Sequence, residues 1–219
     1  MNAVADTRVA DLVGHARALV FDFDGTLVDS NQIKRRAFEP CFKEFPEYRS
    51  EILEYCWSNN HLSRTEKFRH VYEKILGLSY TEDVAAMLYE RFAEASTHQI
   101  ISAPEIQGAE RFLSRERGRR VMVLLSSTPH DILLHIVRKR RWEVYFEAIQ
   151  GAPVAKGRWL AEFQKARRLG PREILFFGDT AEDAGAAQES GCNFIAVCRQ
   201  TFIPDGLLSV ADYTVLLDL

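Results

Sequence analysis

The sequence predicts an α/β protein, with a doubly wound, Rossmann-like parallel sheet and a helical domain inserted after the first strand. Short apolar runs alternate with helical segments from residue 104 onward, as they do in parallel sheets. An isolated apolar run at residues 19–23 reads as one more buried strand. Residues 31–101 show only helical periodicity, and such helices bury their apolar faces against one another. We therefore expect one domain from residues 1–30 and 102–219, and a helical domain from residues 31–101.

Composition restricts the class of protein. A chain of 219 residues accommodates one sizeable domain with a smaller insert, and 47% hydrophobic and 27% charged residues are ordinary for a globular protein. A net charge of −3 argues against a general nucleic-acid binder. No apolar run has the length of a membrane span, and the N-terminus has no signal-peptide core. We expect a cytoplasmic protein without nucleic-acid or membrane partners, either a monomer or a homodimer.

The four cysteines show neither a CxxC pair nor the spacing of zinc ligands. In a reducing compartment they are interpreted as small buried apolar residues. They are Cys41, Cys56, Cys192 and Cys198.

Two aspartates, Asp22 and Asp24, lie at the end of the first apolar run. A single residue, Phe23, separates them. Burying an unpaired carboxylate is too costly for a core position, so the pair needs a metal ion, a cationic partner or a reaction. Gly25 allows the backbone to turn sharply after them. In open α/β sheets, ligands bind at this C-terminal end of the strands.

Four helices are predicted in the inserted domain, over residues 31–45, 46–57, 63–77 and 81–100. The third begins with a capping box, Ser63-Arg64-Thr65-Glu66, and ends at Gly77. Their apolar stripes predict a compact helical unit.

The remainder of the chain alternates strands and helices. Strands are expected at residues 121–125, 146–150, 174–177 and 194–197, with a last short strand within 213–216. Helices are expected at residues 105–117, 129–138, 157–169 and 181–190. Polar residues follow three of the strand ends, namely Ser126, Ser127 and Thr128, then Lys156, then Asp179 and Asp183.

The segment Asp22-Phe23-Asp24-Gly25-Thr26-Leu27-Val28 resembles the nucleophile motif of the haloacid dehalogenase superfamily. The later polar residues are similar, in order, to its second, third and fourth motifs, which are Ser126, Lys156 and Gly178-Asp179 with Asp183. One departure is Gly157 after the lysine, where many relatives have proline, but no other lysine lies between Lys139 and Lys165. The resemblance covers residues 18–30 and 104–219, and it implies a core with a helical cap of type C1.

The resemblance implies a Mg²⁺-dependent phosphatase that hydrolyses a small soluble phosphomonoester through an aspartyl-phosphate. In this interpretation Asp22 is the nucleophile and Asp24 is the general acid and base. Lys156 neutralises charge, and the Ser126 hydroxyl binds the phosphoryl group. The metal ligands implied are Asp22, the backbone carbonyl of Asp24, Asp179 and Asp183, the last directly or through water.

Substrate contacts are expected from residues beside these motifs. Gly25 and Thr26 follow the nucleophile, and the Thr26 N–H is expected to help bind phosphate while its hydroxyl bonds a loop carbonyl. Ser127 and Thr128 read either as capping or loop residues before Pro129 or as substrate contacts. The string His61-Leu62-Ser63-Arg64 resembles the cap loop of β-phosphoglucomutase-like relatives, in which a Ser-Arg pair meets the far phosphate of the substrate. Arg64 is therefore a candidate substrate-binding residue.

Two other functions fit the same motifs. A sugar phosphomutase would return the phosphoryl group to a sugar instead of water, with the same core residues. A non-catalytic phosphate-binding regulatory protein would retain the fold, although a site without turnover gains nothing from buried charge.

Overall fold

The structure is a computed structural model that describes residues 3–59, 62–197 and 206–217. It divides the chain into two compact units, the first comprising Met1–Asp29 with Ala103–Leu219 and the second Ser30–Ser102. The predicted fold class is confirmed, because the first unit contains a parallel sheet flanked by helices and the second is helical. Within the described segments, no helix is long and apolar enough to cross a membrane.

The first unit is built on a six-stranded parallel sheet with the strand order β3-β2-β1-β4-β5-β6. Its strands are β1 (Ala18–Phe21), β2 (Val121–Pro129), β3 (Ala148–Ala152), β4 (Ile174–Gly178), β5 (Asn193–Val197) and β6 (Ser209–Val210). The chain runs outward from β1 to β3 on one side and from β4 to β6 on the other, so the order reverses between β1 and β4. Ligands of doubly wound sheets bind at such a switch point.

The helices alternate with these strands, and five of them lie in the inserted unit. In chain order they are α1 (Ala3–His15), α2 (Asn31–Arg36), α3 (Phe38–Cys41), α4 (Arg49–Ser58), α5 (Arg64–His70), α6 (Glu82–Ser102), α7 (Ala109–Glu116), α8 (His130–Lys139), α9 (Lys156–Arg167), α10 (Ala181–Ser190) and α11 (Thr214–Leu217). A π-helical turn, Val71–Ile75, continues α5.

The two central strands are buried along their whole length, as their apolar sequences require. Phe21 pairs in register with Phe177, and their rings stack with centroids 5.1 Å apart. Phe112 packs its ring edge against both of them. This packing fixes the ends of β1 and β4 side by side, directly before Asp22 and Asp179.

The inserted unit, called the cap below, has an aromatic core of its own. Phe38 packs edge-to-face on Phe68 and Phe92, with ring centroids 5.8 and 5.0 Å away. The predicted capping box is confirmed, since the Ser63 N–H donates to Glu66 at 2.8 Å and the Glu66 N–H donates to the Ser63 hydroxyl. Cys41 and Cys56 are buried here, and Cys192 is buried in the first unit, whereas Cys198 and His61 lie outside the described residues.

Three predicted elements differ in the structure. The helix expected over residues 31–45 is broken into α2 and α3, because Pro40 has no N–H to bond the carbonyl of Arg36. The helix expected from residue 105 begins only after Gly108, whose φ of +81° is left-handed. The strand expected within residues 213–216 is wrong. This segment contributes to α11, where the Asp212 carboxylate accepts the Thr214 N–H at 2.9 Å and starts the helical turn.

Candidate active site

Three carboxylates meet at the ends of the central strands. Asp22 follows β1, Asp179 follows β4, and Asp183 lies in the first turn of α10. Each offers an oxygen within 4.8 Å of the others, and all three side chains are buried. The apolar runs of β1 and β4 place them there, because parallel strands bring their C-terminal ends to one edge of the sheet.

One ammonium lies among these carboxylates. Lys156, the first residue of α9, donates to Asp22 Oδ1 at 2.7 Å and to Asp183 Oδ1 at 2.6 Å. Burial disfavours its charge, but the carboxylates of Asp183 and Asp22 outweigh burial and raise the pKa of Lys156 above its ordinary value. The lysine is therefore held as a cation against the carboxylates of Asp22 and Asp183.

Asp183 is fixed from both sides. While Oδ1 accepts from Lys156, Oδ2 accepts from the Thr180 hydroxyl at 2.6 Å and from the Thr180 N–H at 3.1 Å. Thr180 is the N-cap of α10, and its hydroxyl accepts the Asp183 N–H in return. This capping box orients the carboxylate that orients Lys156. Its Thr-x-x-Asp spacing is visible in the sequence, although Thr180 was not among the predicted site residues.

The site has more negative charge than positive charge. Burial raises the pKa of Asp22 well above its ordinary value, Lys156 lowers it, and the carboxylates of Asp183, Asp179 and Asp24 raise it further. A buried set of oxygen donors with uncompensated negative charge suits a hard divalent cation such as Mg²⁺, which prefers carboxylate ligands. The residues present therefore fit the magnesium that the sequence predicts.

Asp24 lies outside that three-residue cluster, and its carboxylate has a partner of a different kind. The Thr128 hydroxyl, at the end of β2, donates to Asp24 Oδ2 at 2.8 Å. Gly25 makes the predicted turn, with φ of +81° and its N–H donating to the Val28 carbonyl at 2.7 Å. The Gly25 N–H is thus used within the loop.

The role expected for the Thr26 hydroxyl is wrong, and so is the capping alternative for Ser127 and Thr128. The Thr26 hydroxyl donates to Asp179 Oδ1 at 3.3 Å and not to a loop carbonyl, so it joins the β1 loop to the carboxylate cluster. Neither Ser127 nor Thr128 caps α8, because Pro129 occupies the cap position without a side-chain bond. Ser127 is exposed, and its hydroxyl donates to Glu182 at 3.2 Å.

Ser126 and Arg64 complete the predicted set, in different units. The Ser126 hydroxyl oxygen is buried and accepts the Thr128 N–H at 3.1 Å, which leaves its hydrogen to donate to a ligand. Arg64 belongs to the cap, where its guanidinium lies 3.9 Å above the Phe92 ring. The core unit therefore contains every predicted site residue except Arg64, although Ser127 is exposed and bonds Glu182.

Gly178 allows the end of β4 and the start of α10 to lie close together beside the site. A Cβ atom on Gly178 would lie 2.4 Å from the Asp183 Cβ, far inside van der Waals contact. Only glycine at the end of β4 lets α10 begin this close to the strand. The Gly-Asp pair was recognised in the sequence as part of a motif, but the reason for the glycine comes from the packing.

This combination of fold and site defines a class of hydrolase: a doubly wound sheet, a lysine and carboxylates at its switch point, and a helical unit inserted after β1. The sequence profile described as haloacid dehalogenase-like hydrolase matches residues 19–197. The chain belongs to this family. It is a hydrolase of the haloacid dehalogenase type.

Solved structures have the same fold at low sequence identity. A protein described as a predicted phosphoglycolate phosphatase, from Haemophilus somnus, is 17% identical, with a TM-score of 0.73 over 93% of this chain and 97% of that chain. CbbY from Rhodobacter sphaeroides, in complex with phosphate, is 16% identical, with a TM-score of 0.69 over 93% of this chain and 100% of that chain. YfnB from Bacillus subtilis, bound to magnesium, is 15% identical, with a TM-score of 0.68 over 93% and 97%. No curated protein matches the chain in sequence.

Proposed function

We propose that this protein is a Mg²⁺-dependent phosphatase that hydrolyses a small phosphomonoester through an aspartyl-phosphate on Asp22. The observation that carries the proposal is the Lys156 ammonium, 2.7 Å from Asp22 inside a cluster of buried carboxylates. A carboxylate nucleophile needs cations around it to approach a phosphate dianion, and this site supplies one and has the donors for another.

In the first step, an Asp22 oxygen attacks phosphorus, and the bond between phosphorus and the ester oxygen breaks. Asp24 gives its proton to the departing oxygen, so an alcohol leaves. In the second step, Asp24 removes a proton from water, and that water attacks phosphorus and releases Asp22 and phosphate. Thr128 holds one Asp24 oxygen by its 2.8 Å hydrogen bond, which orients this carboxylate for the proposed proton transfers.

Other residues hold the phosphoryl group. We assign the Ser126 hydroxyl and the Thr26 N–H to its oxygens and Lys156 to the charge that develops on them. Asp22, Asp179, Asp183 and the Asp24 carbonyl would hold Mg²⁺. When bound, this ion would neutralise the negative charge shared by phosphate and carboxylates.

The cap is assigned to substrate recognition, with Arg64 as a substrate contact. The core residues serve phosphatase and phosphomutase alike, and the Ser63-Arg64 pair of the cap resembles mutase relatives. Incubation with a hexose 1-phosphate separates the two functions, since a phosphatase releases inorganic phosphate and free sugar whereas a mutase forms the isomeric hexose phosphate.

The central test replaces Asp22 by Asn and compares it with Asp29→Asn, an exposed aspartate in the same loop. With nitrophenyl phosphate and Mg²⁺, Asp22→Asn should lower kcat by about 10³-fold or more, because an amide cannot form the acyl-phosphate. Acid-quenched wild-type enzyme should carry one phosphoryl group on the peptide that contains Asp22. Activity of Asp22→Asn close to that of Asp29→Asn would refute the mechanism.

A further inference from the structure

The cap contains a buried lysine that has no counter-charge among the described residues. Lys67, in α5, is 7% exposed. Among the residues that the structure describes, its ammonium makes no hydrogen bond and no ion pair, and its recorded contact is with the Phe38 ring, 5.3 Å from the centroid. Lysines on helices normally extend their charged ends into water, so this burial needs an explanation.

The surroundings of Lys67 do not compensate its charge. Burial lowers the pKa of Lys67, the Cys56 sulfur opposes that shift, and the Arg35 guanidinium lowers the pKa further. Burial also raises the pKa of Cys56 to about 12, so this neighbour is a neutral thiol near pH 7. No described carboxylate contributes to the shift of Lys67. The lysine therefore lies between an uncharged group and a like charge.

A second cation lies on the same face of the helix. Arg64 is three residues before Lys67, and residues at this spacing are neighbours on an α-helix. Its guanidinium lies above Phe92, whose ring centroid is 5.0 Å from that of Phe38. The Arg64 guanidinium and the Lys67 ammonium thus lie over two adjacent rings, those of Phe92 and Phe38. Arg35 is close enough to lower the pKa of Lys67. Such a cluster attracts an anion.

We propose that Lys67 is a specificity-determining residue that binds a second anionic group of the substrate, a carboxylate or a phosphate remote from the transferred phosphoryl group. An unpaired ammonium in an apolar environment is unfavourable, and an anionic ligand would supply the counter-charge that the described part of the cap does not provide. The proposal rests on the phosphatase function proposed above. It adds Lys67 to Arg64 as a cap residue that contacts the substrate. It also restricts the natural substrate to esters with at least two anionic groups.

The test compares wild type with Lys67→Met and Lys74→Met. Methionine keeps an unbranched stem against Phe38 and removes the charge. Lys74 is an exposed lysine of the following π-helical turn and serves as the matched control. The substrates are nitrophenyl phosphate, which has no second anion, phosphoglycolate, which has a carboxylate, and a hexose bisphosphate, which has a second phosphate.

For one or both dianionic substrates, Lys67→Met should lower kcat/KM at least about tenfold more than it does for nitrophenyl phosphate, chiefly through KM. The substrate with the larger differential loss identifies the anion. Lys74→Met should show no such difference. Equal losses on all three substrates, or none, would overturn the proposal.

Thermal unfolding gives a readout that does not depend on turnover. Without ligand, Lys67→Met should raise Tm by about 2–8 °C, because it removes an unpaired buried charge. Phosphoglycolate or the bisphosphate should then stabilise wild type more than the variant. A lower Tm for Lys67→Met would mean that the ammonium supports the cap through Phe38, which overturns the proposal. If wild type hydrolyses none of the three substrates, the phosphatase function fails, and the Tm series still decides the role of Lys67.

Discussion

Gly178→Ala tests whether the position of Lys156 depends on the close approach of β4 and α10. The φ angle of Gly178 is not left-handed, so alanine is allowed by the backbone, and the obstacle is steric. The added Cβ would lie 2.4 Å from the Asp183 Cβ, 2.6 Å from its Cγ and 2.8 Å from its Oδ2. Because carbon atoms pack at about 3.5–4.0 Å, Asp183 must shift by roughly 1 Å.

That shift acts on a tightly bound residue. Asp183 is fully buried and holds Lys156 at 2.6 Å, and Lys156 in turn holds Asp22. Overpacking of this kind costs about 1–3 kcal/mol of stability, and a misplacement of about 1 Å in a catalytic group can lower the rate about 100-fold. We expect Gly178→Ala to remain folded at 25 °C and to lose about 100-fold in kcat/KM.

The matched control is Gly185→Ala in α10, where an added Cβ meets nothing within 4 Å. Alanine favours the helix, so this variant should gain about 0.5–1 kcal/mol and keep its activity. The assay is kcat/KM for nitrophenyl phosphate with Mg²⁺, together with Tm for all three proteins. If Gly178→Ala keeps at least one third of wild-type kcat/KM, the argument from the Asp183 contact is wrong.

Three further predictions concern the proposed metal, the proposed role of Asp24 and the thiols. Chelation should abolish turnover, and added Mg²⁺ should restore it. Ca²⁺ should inhibit, because its looser coordination disturbs the in-line geometry of phosphoryl transfer. Full activity after exhaustive chelation would contradict the metal assignment. Asp24→Asn should lower kcat about 10²–10⁴-fold. Thr128→Val removes the 2.8 Å hydrogen bond to Asp24, so it should lower kcat less and alter the dependence of kcat on pH. If the pH dependence of Thr128→Val matches that of wild type, Thr128 does not position Asp24. Burial raises the pKa of Cys41 and Cys56 to about 12, so iodoacetamide at pH 8 should modify both in urea but neither in folded protein, as peptide mass spectrometry can measure.

The sequence predicts the carboxylate cluster because its members follow apolar runs that are short enough for buried strands. Asp22 comes directly after β1, and Asp179 comes directly after β4. These two strands pair in parallel, so the sheet topology places the two aspartates close together. Gly25 was predictable for the same reason, since a chain that leaves the sheet edge needs a sharp turn.

Hydrogen bonds between distant segments were not predictable in this way. The hydroxyls of Thr26 and Thr128 bond carboxylates 153 and 104 residues away along the chain, and no periodicity encodes such partners. Local patterns suggested a loop carbonyl and a helix cap, which are the common roles of these side chains. The prediction of a strand within residues 213–216 was wrong for a related reason. The length of this apolar segment suits either a strand or a helical turn, and the hydrogen bond from Thr214 to Asp212 favours the helical turn.

The burial of charge distinguishes the two units. In the core, Asp22 and Asp183 bind Lys156, and Asp179 adds a third buried carboxylate, so the cluster has excess negative charge that we propose a cation balances. In the cap, Lys67 is buried beside neutral and cationic neighbours among the described residues, and we propose that an anion balances its charge. Neither imbalance favours folding on its own, since buried charges are stable when paired. Under these proposals, Mg²⁺ would balance the charge of the core cluster, and the second anionic group of the substrate would balance that of Lys67. It follows that metal and dianionic ligand together should stabilise the folded protein more than either does alone.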